Sequence, residues 1–226
     1  MITSVLMPVF NEEATIREIV RRVQASPIEK EIIVVDDGST DGTAALLDAM
    51  KPAGVEVIRH PRNLGKGAAV RTALARARGD IVVVQDADLE YDPADYPRLI
   101  APILRGDTDV VYGSRIKGHT RRGYLRYYLG GRMLSWFTNL LYGTQLSDVP
   151  TGYKVFKIQA LRDMRLETDG FGFCAEVTAK AARRGLRIVE VGISYSPRSF
   201  REGKKISWRS GLGFLLKLFR CRFSKV

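Results

Sequence analysis

Runs of β-branched residues alternate with stretches whose apolar positions recur every three or four residues, and in the first half of the chain this alternation names the elements. Residues 5–9 read as a strand. Asn11 stands where a helix cap belongs, with Glu12 and Glu13 in the first turn and Ile16, Ile19, Val20 and Val23 as the inward face. Residues 32–35 form a second strand, and Ala44, Leu47 and Met50 mark the helix after it. A third strand over 55–58 precedes a helix through Val70, Ala73, Leu74 and Ala77. A fourth over 81–84 precedes one through Tyr96, Leu99, Ile100, Ile103 and Leu104, and a fifth covers 109–112. No hairpin signal interrupts the series, which predicts an α/β chain with a doubly wound, mostly parallel sheet.

In such a sheet ligands bind beyond the carboxyl ends of the strands. Polar residues gather at four of those ends: Asn11-Glu12, Asp36-Asp37, Asn63 to Gly67 and Asp86 to Glu90. The last is the sharpest, because Asp86 and Asp88 lie two apart and project from one side of an extended chain. Two like charges held that close require a counter-ion. A hard divalent cation, Mg²⁺ or Mn²⁺, that itself holds phosphate oxygens meets the need and points to a nucleotide substrate. No Gly-x-Gly-x-x-Gly follows the first strand and no Walker-type loop is present, which argues against hydride transfer and P-loop hydrolysis.

At 226 residues and 45% hydrophobic content the chain suits one domain with a packed core. Its first nine residues lack the basic flank of a secretory leader, and its longest run without charge, 133–147, is too short and too polar to span a bilayer. Cys174 and Cys221 form no metal or redox spacing, so a cytoplasmic setting is expected. The net charge of +11 calls for an anionic partner; the first hundred residues are near neutral and the excess lies from Arg115 onward.

The second half departs from the repeat. Arg121, Arg122, Arg126 and Arg132 interleave with Tyr124, Tyr127 and Tyr128, after which Met133, Leu134, Phe137, Leu140 and Leu141 fall at helical spacing beside Trp136. At the end of the chain Leu212, Leu215, Leu216, Phe219 and Phe223 make an apolar stripe flanked by Lys217, Arg220, Arg222 and Lys225. Phe214 and Leu218 lie off that stripe and are expected to pack on protein. Two such segments predict peripheral attachment to an anionic membrane surface, at the inner face of the cell membrane, and leave room for a membrane-protein partner.

Taken in order, Pro8-Val9-Phe10-Asn11-Glu12, Asp36 to Thr43, Asn63-Leu64-Gly65-Lys66-Gly67, Gly79-Asp80, Asp86-Ala87-Asp88-Leu89 and Gly113-Ser114-Arg115 resemble the signature of family-2 glycosyltransferases with the GT-A fold. The run Asp148-Val149-Pro150-Thr151-Gly152-Tyr153 and the region around Gly203 extend the resemblance toward the polyprenyl-phosphate sugar transferases, the branch that includes dolichyl-phosphate mannose synthases. The resemblance implies a single GT-A catalytic domain over 1–226, with a nucleotide-sugar half (1–115), an acceptor half (116–207) and a basic amphipathic helix (208–226). It assigns Pro8, Phe10, Glu12, Asp36, Asp37, Lys66, Gly67, Asp86, Ala87 and Asp88 to the nucleotide sugar. Asp86, Asp88 and Glu90 are implied for the metal, Mn²⁺ or Mg²⁺, with Glu90 standing where relatives often have glutamine. Arg115 and Asp148 are the implied catalytic residues, Arg115 at the departing diphosphate and Asp148 as a general base.

Arg198, Arg201, Lys204 and Lys205 are assigned to the acceptor phosphate. Here the chain departs from the branch, reading Arg201-Glu202-Gly203-Lys204-Lys205 in place of Arg-x-x-Gly-x-Ser-Lys. The implied reaction is inverting transfer of a hexose from GDP-mannose or a UDP-sugar to a polyprenyl phosphate. Transfer to a saccharide hydroxyl is the alternative, and a nucleotidyltransferase would use a similar acid pair. A non-catalytic nucleic-acid-binding module leaves four polar strand ends unexplained, so nucleic acid is not an expected partner.

Overall fold

Strand β1 (Thr3–Val9) alternates its side chains between two separate cores: Val5, Met7 and Val9 enter one, Leu6 the other. The same division runs across the sheet, because successive strand residues face opposite sides. The computed structural model describes residues 1–50, 54–118, 125–170, 172–198 and 208–223. Helices α1 (Ile16–Ala25), α2 (Thr43–Met50) and α4 (Tyr96–Leu104) cover one face, while α3 (Lys66–Arg76), α6 (Ile158–Asp163), α7 (Phe173–Arg183) and α8 (Trp208–Phe223) cover the other. Helix α5 (Leu125–Tyr142) packs on that second face through Leu134, Phe137 and Leu141.

The remaining strands are β2 (Lys30–Asp36), β3 (Val55–Arg59), β4 (Ile81–Val84), β5 (Val110–Ser114), β6 (Lys154–Lys157) and β7 (Ile188–Gly192), in the spatial order β3-β2-β1-β4-β6-β5-β7. All pairings are parallel except those of β6, which runs antiparallel to both β4 and β5. Every residue of β4 is buried, as its unbroken β-branched run requires. The five strands read from sequence fall within two residues of their observed limits.

Because β6 is reversed, the loop that enters it (residues 147–153) lies at the same edge as the loops that leave β1, β2, β4, β5 and β7. That reversal brings Asp148 to the ligand-binding edge. Sequence spacing alone did not place it there.

One local expectation needs correction. Helix α1 starts at Ile16 with Thr15 at its N-cap, and Asn11 does not cap it. Asn11 takes a left-handed conformation (φ 53°) and ties the first loop to the second: its amide donates to Ser39 Oγ (3.0 Å) and its Oδ1 accepts from the Thr40 amide (2.8 Å). Leu104, one of the apolar positions that mark α4, is half exposed, unlike Tyr96, Leu99, Ile100 and Ile103.

At the chain's end, Phe214 and Leu218 are buried against α7 and α5, as their position off the stripe predicts, and Cys221 is buried with them. Leu212, Leu216, Phe219 and Phe223 face outward. Among the described residues no helix is long and apolar enough to cross a membrane.

Candidate active site

Asp86 and Asp88 leave β4 at the sheet edge, and each meets a cation of the same chain. Lys66, in the first turn of α3, donates from Nζ to Asp86 Oδ1. The Arg198 guanidinium lies 2.9 Å from Asp88 Oδ2 and 3.0 Å from Glu12 Oε2. Burial is the largest single influence on the Lys66 ammonium and lowers its pKa, but the charge and hydrogen bond of Asp86 together with Cys174 and Tyr91 raise it overall. Burial, followed by the charges of Asp86 and Glu90, pushes Asp88 up to about 7 against the pull of Arg198. Two carboxylates held this close at a buried strand end are a fitting seat for a divalent cation with oxygen ligands.

The glycines around this pair allow close approach. A Cβ on Gly67 would collide with the Thr168 carbonyl, so α3 starts against residues 168–169, and the Ala68 amide donates to Asp169 O at 3.0 Å. A Cβ on Gly152 would strike Asp86 Oδ2. The Gly152 amide instead donates to the Tyr91 hydroxyl at 2.8 Å. Beneath the pair, Gln85 Oε1 accepts from both Tyr96 (2.6 Å) and Tyr153 (2.7 Å) hydroxyls.

Glu90 is placed differently from the expected third metal ligand. Its Oε2 accepts from the Tyr195 hydroxyl (2.7 Å) and its Oε1 from the Arg198 amide (2.8 Å), so it holds the 195–198 segment in place. Among the described residues no group of three His, Cys, Asp or Glu side chains is arranged to hold a metal ion. The fit therefore rests on Asp86 and Asp88, with a diphosphate free to supply further oxygens.

On the nucleotide side, Pro8 pairs in register with Val35, and Pro8, Phe10 and Glu12 are half-buried at the mouth of the β1 loop. Asp36 caps its own loop by accepting from the Ser39 amide (3.0 Å), with Arg59 3.5 Å away. Asp37 is buried and accepts from His60 Nδ1 (2.6 Å) and from the amides of Leu64 (3.0 Å) and Gly65 (2.7 Å). It thus fastens the 60–65 loop beside Lys66. The Ala87 carbonyl accepts from Thr15 Oγ1 at 3.0 Å, and its side chain belongs to the core.

The two candidate catalytic residues are brought together. Arg115 Nε and its amide donate to Asp148 Oδ2 (2.8 and 2.9 Å), and its terminal nitrogen donates to Oδ1 (2.7 Å). The guanidinium also lies 5.1 Å from the centre of the Tyr195 ring. Burial works against the Arg115 charge, yet Tyr91 and Asp148 hold its pKa well above the ordinary value.

Arg198, assigned to the acceptor phosphate, is found against Glu12 and Asp88 on the donor side. Its expected companions Arg201, Lys204 and Lys205 lie outside the described residues. Sequence reading missed Tyr91, Tyr195, Lys154 and Glu190. Gln85 and Tyr91 flank the acid cluster and were findable by proximity; Tyr195 and Glu190 carried no signal of their own in sequence.

A family model described as "Glycosyl transferase family 2" matches residues 4–165. The low-salt glycan biosynthesis hexosyltransferase Agl6 of Haloferax volcanii is 33% identical over 86% of this chain and 48% of its own length, so the chain spans about half of that relative. The undecaprenyl-phosphate mannosyltransferase of Micrococcus luteus is 30% identical over 88% of this chain and 85% of its own. In structure, glucosyl-3-phosphoglycerate synthase of Mycobacterium tuberculosis, solved with Mn²⁺, UDP and glucosyl-3-phosphoglycerate, superposes with a TM-score of 0.75 and 26% identity, covering all of this chain and 81% of that one. The same synthase with Mg²⁺ and UDP gives a TM-score of 0.72.

Proposed function

Since the chain belongs to glycosyl transferase family 2, we propose that it transfers a hexose from a nucleotide sugar to a polyprenyl phosphate at a membrane surface. The observation that carries the choice of acceptor is the Arg115–Asp148 pair. Both oxygens of the residue implied as general base accept hydrogen bonds from one guanidinium, which suits a role in holding Arg115. A saccharide hydroxyl needs such a base. A phosphomonoester, with its second pKa near ~6, arrives already largely anionic and needs none.

In this reading Asp86 and Asp88 would hold the metal, which when bound would stabilise the charge that gathers on the departing diphosphate. Lys66, which donates to Asp86 at the same edge, would add positive charge beside the donor phosphates. Arg115, held by Asp148, faces the same developing charge. The acceptor oxygen attacks the anomeric carbon in line with the leaving diphosphate, a single displacement that inverts the configuration.

The membrane surface suits the outer faces of α5 and α8. Leu125, Leu129, Met133, Trp136 and Leu140 on the first, and Leu212, Leu216 and Phe223 on the second, are each at least half exposed. The two helices touch through Phe137 and Phe219, ring centres 5.4 Å apart, so the exposed residues lie on neighbouring helices. Arg220 and Arg222 on α8 add charge suited to anionic lipid, while Lys217 turns inward toward Glu176.

The test combines purified protein, Mn²⁺ or Mg²⁺, a panel of GDP- and UDP-sugars and a polyprenyl phosphate. Nucleoside diphosphate and lipid-linked sugar should form in equal amounts. Diphosphate release with a saccharide acceptor and no lipid product would overturn the acceptor assignment, and pyrophosphate release would overturn glycosyl transfer itself. Asp148→Asn separates the acceptors further: transfer to a hydroxyl through this base would be nearly abolished, whereas transfer to a phosphate should stay measurable.

A further inference from the structure

Beneath the turn that carries Asp148 lies a row of three buried side chains from three neighbouring strands. Tyr112 on β5 is in register with Lys154 on β6 and with Glu190 on β7, so all three project from one face of the sheet. Lys154 is fully buried and has its Nζ 3.5 Å from the centre of the Tyr112 ring. Its hydrogen bond goes to the Val149 carbonyl at 2.9 Å. Burial pulls its pKa down to about 8.

Glu190 holds the other side of the same turn. Its Oε1 accepts from the Ser147 amide (2.8 Å), the Asp148 amide (2.9 Å) and Ser147 Oγ (3.1 Å). The carboxylate is 2% exposed, and Lys117 Nζ lies 3.0 Å from Oε2. A carboxylate oxygen set against two successive amides fixes the orientation of the peptide between them. The Val149 amide, next in line, donates to Ser135 Oγ on α5 at 2.9 Å. Three consecutive amides and one carbonyl of the turn are therefore held from below and from the side.

We propose that Glu190 is a positioning residue for sugar transfer: by fixing residues 147–149 it sets the Asp148 carboxylate, and through it the Arg115 guanidinium, at the donor diphosphate. It touches neither substrate. The assignment deepens the glycosyltransferase reading and rests on it for the step affected, but the local geometry it predicts can be measured without turnover. Charge alone does not explain the arrangement, because the turn needs an acceptor at one point in space. Glutamine can supply that acceptor; alanine cannot, and aspartate falls one methylene short.

The experiment is a double-mutant cycle on lipid-linked sugar formation, joined to an NMR measurement on ligand-free protein. Glu190→Ala should lower kcat by ~10- to 100-fold, the scale of a misplaced catalytic group, with the donor KM within ~3-fold. Glu190→Gln should recover most of that loss. In an Asp148→Asn background, Glu190→Ala should cost less than ~2-fold, because both act through one carboxylate. Should Glu190→Ala not fold, Glu190→Asp enters the same cycle.

The Arg115 Nε–H signal should be protected from solvent exchange in the wild type and in Glu190→Gln, and should lose that protection in Glu190→Ala or Glu190→Asp. Multiplicative losses in the cycle, or a protected Arg115 signal in the alanine or aspartate variant, would overturn the proposal. A wild type that transfers no sugar while the Arg115 signal behaves as described would instead overturn the functional reading and leave the positioning role standing.

Discussion

The Arg198 guanidinium sits 2.9 Å from Asp88 Oδ2, in the space where a metal-bound diphosphate is expected. Its other terminal nitrogen reaches Glu12 at 3.0 Å, and its backbone is held by Glu90. A cation of the chain thus neutralises the donor-side carboxylates and stands in competition with an incoming divalent ion. Arg198→Ala should tighten Mn²⁺ binding to the ligand-free protein by ~3- to 10-fold, since the competing charge is removed from a poorly solvated site. Titration of Mn²⁺ followed by electron paramagnetic resonance reads this directly. Unchanged or weaker affinity would show that the ion pair and the metal do not compete.

Asp88 provides a pH test. Burial and the neighbouring charges of Asp86 and Glu90 push its folded pKa up to about 7 from the ordinary 3.8, so the folded protein binds this proton more tightly than the unfolded chain does. The sign follows: stability is greatest below the unfolded value and is lost as pH rises toward 7, with a ceiling on the order of 4 kcal/mol. At pH 8 without metal, Asp88→Asn should therefore raise the thermal midpoint. The same variant should lose the stabilisation that Mn²⁺ gives the wild type. Thermal melts at pH 8 with and without Mn²⁺ check both, and a lower midpoint for the metal-free variant would refute the sign.

Glu176 shows the opposite sign. Burial would raise it, but Lys180 and the amides of Thr168 and Glu167 outweigh burial and bring it down to about 2 from 4.5. Its contribution is present above pH 4.5 and is lost as pH falls toward 2, amounting to at most about 3 kcal/mol. Glu176→Gln should lower stability at pH 7 by about 2 kcal/mol and differ little from wild type near pH 2. Denaturant melts at the two pH values measure the difference. The 167–169 loop braces Gly67, so donor affinity should fall as well.

The outward faces of α5 and α8 predict salt-sensitive binding to anionic vesicles. Trp136→Glu and Leu216→Glu, at positions 64% and 52% exposed, should each reduce co-sedimentation with phosphatidylglycerol vesicles by at least ~5-fold at low salt while leaving the thermal midpoint unchanged. Equal retention of wild type and variants, or equal binding to neutral vesicles, would remove the membrane from the account of this surface.

Much of the fold was legible because strand and helix periodicities are local. The β-branched run of β4 could only be a buried strand, and the apolar spacing of α1 fixed its inward face before any tertiary contact was known. The acid pair was legible for the same reason, since two residues apart in a strand means one side. Asn11 misled because its type suits both a helix cap and a left-handed turn, and only the neighbouring Ser39 and Thr40 decide between them. Glu90 stayed open in the sequence between a metal ligand and a neighbour of the site, because nearness to Asp86 and Asp88 does not say where a longer side chain turns.

By itself, then, the sequence determined the order of the first five strands and the helices between them, the identity of the acidic strand end, and the division of the C-terminal helix into a packed face and an outward one. Each follows from interactions within a few residues or from simple periodicity. Tertiary structure alone decided that β6 runs backwards and so delivers Asp148 to Arg115, that Arg198 closes on Asp88 from 110 positions away, and that Glu190 lies under the turn that carries Asp148. The reason is physical: charge pairing and backbone hydrogen bonds act over about 3 Å in space without regard to separation along the chain, and only the folded sheet sets those distances.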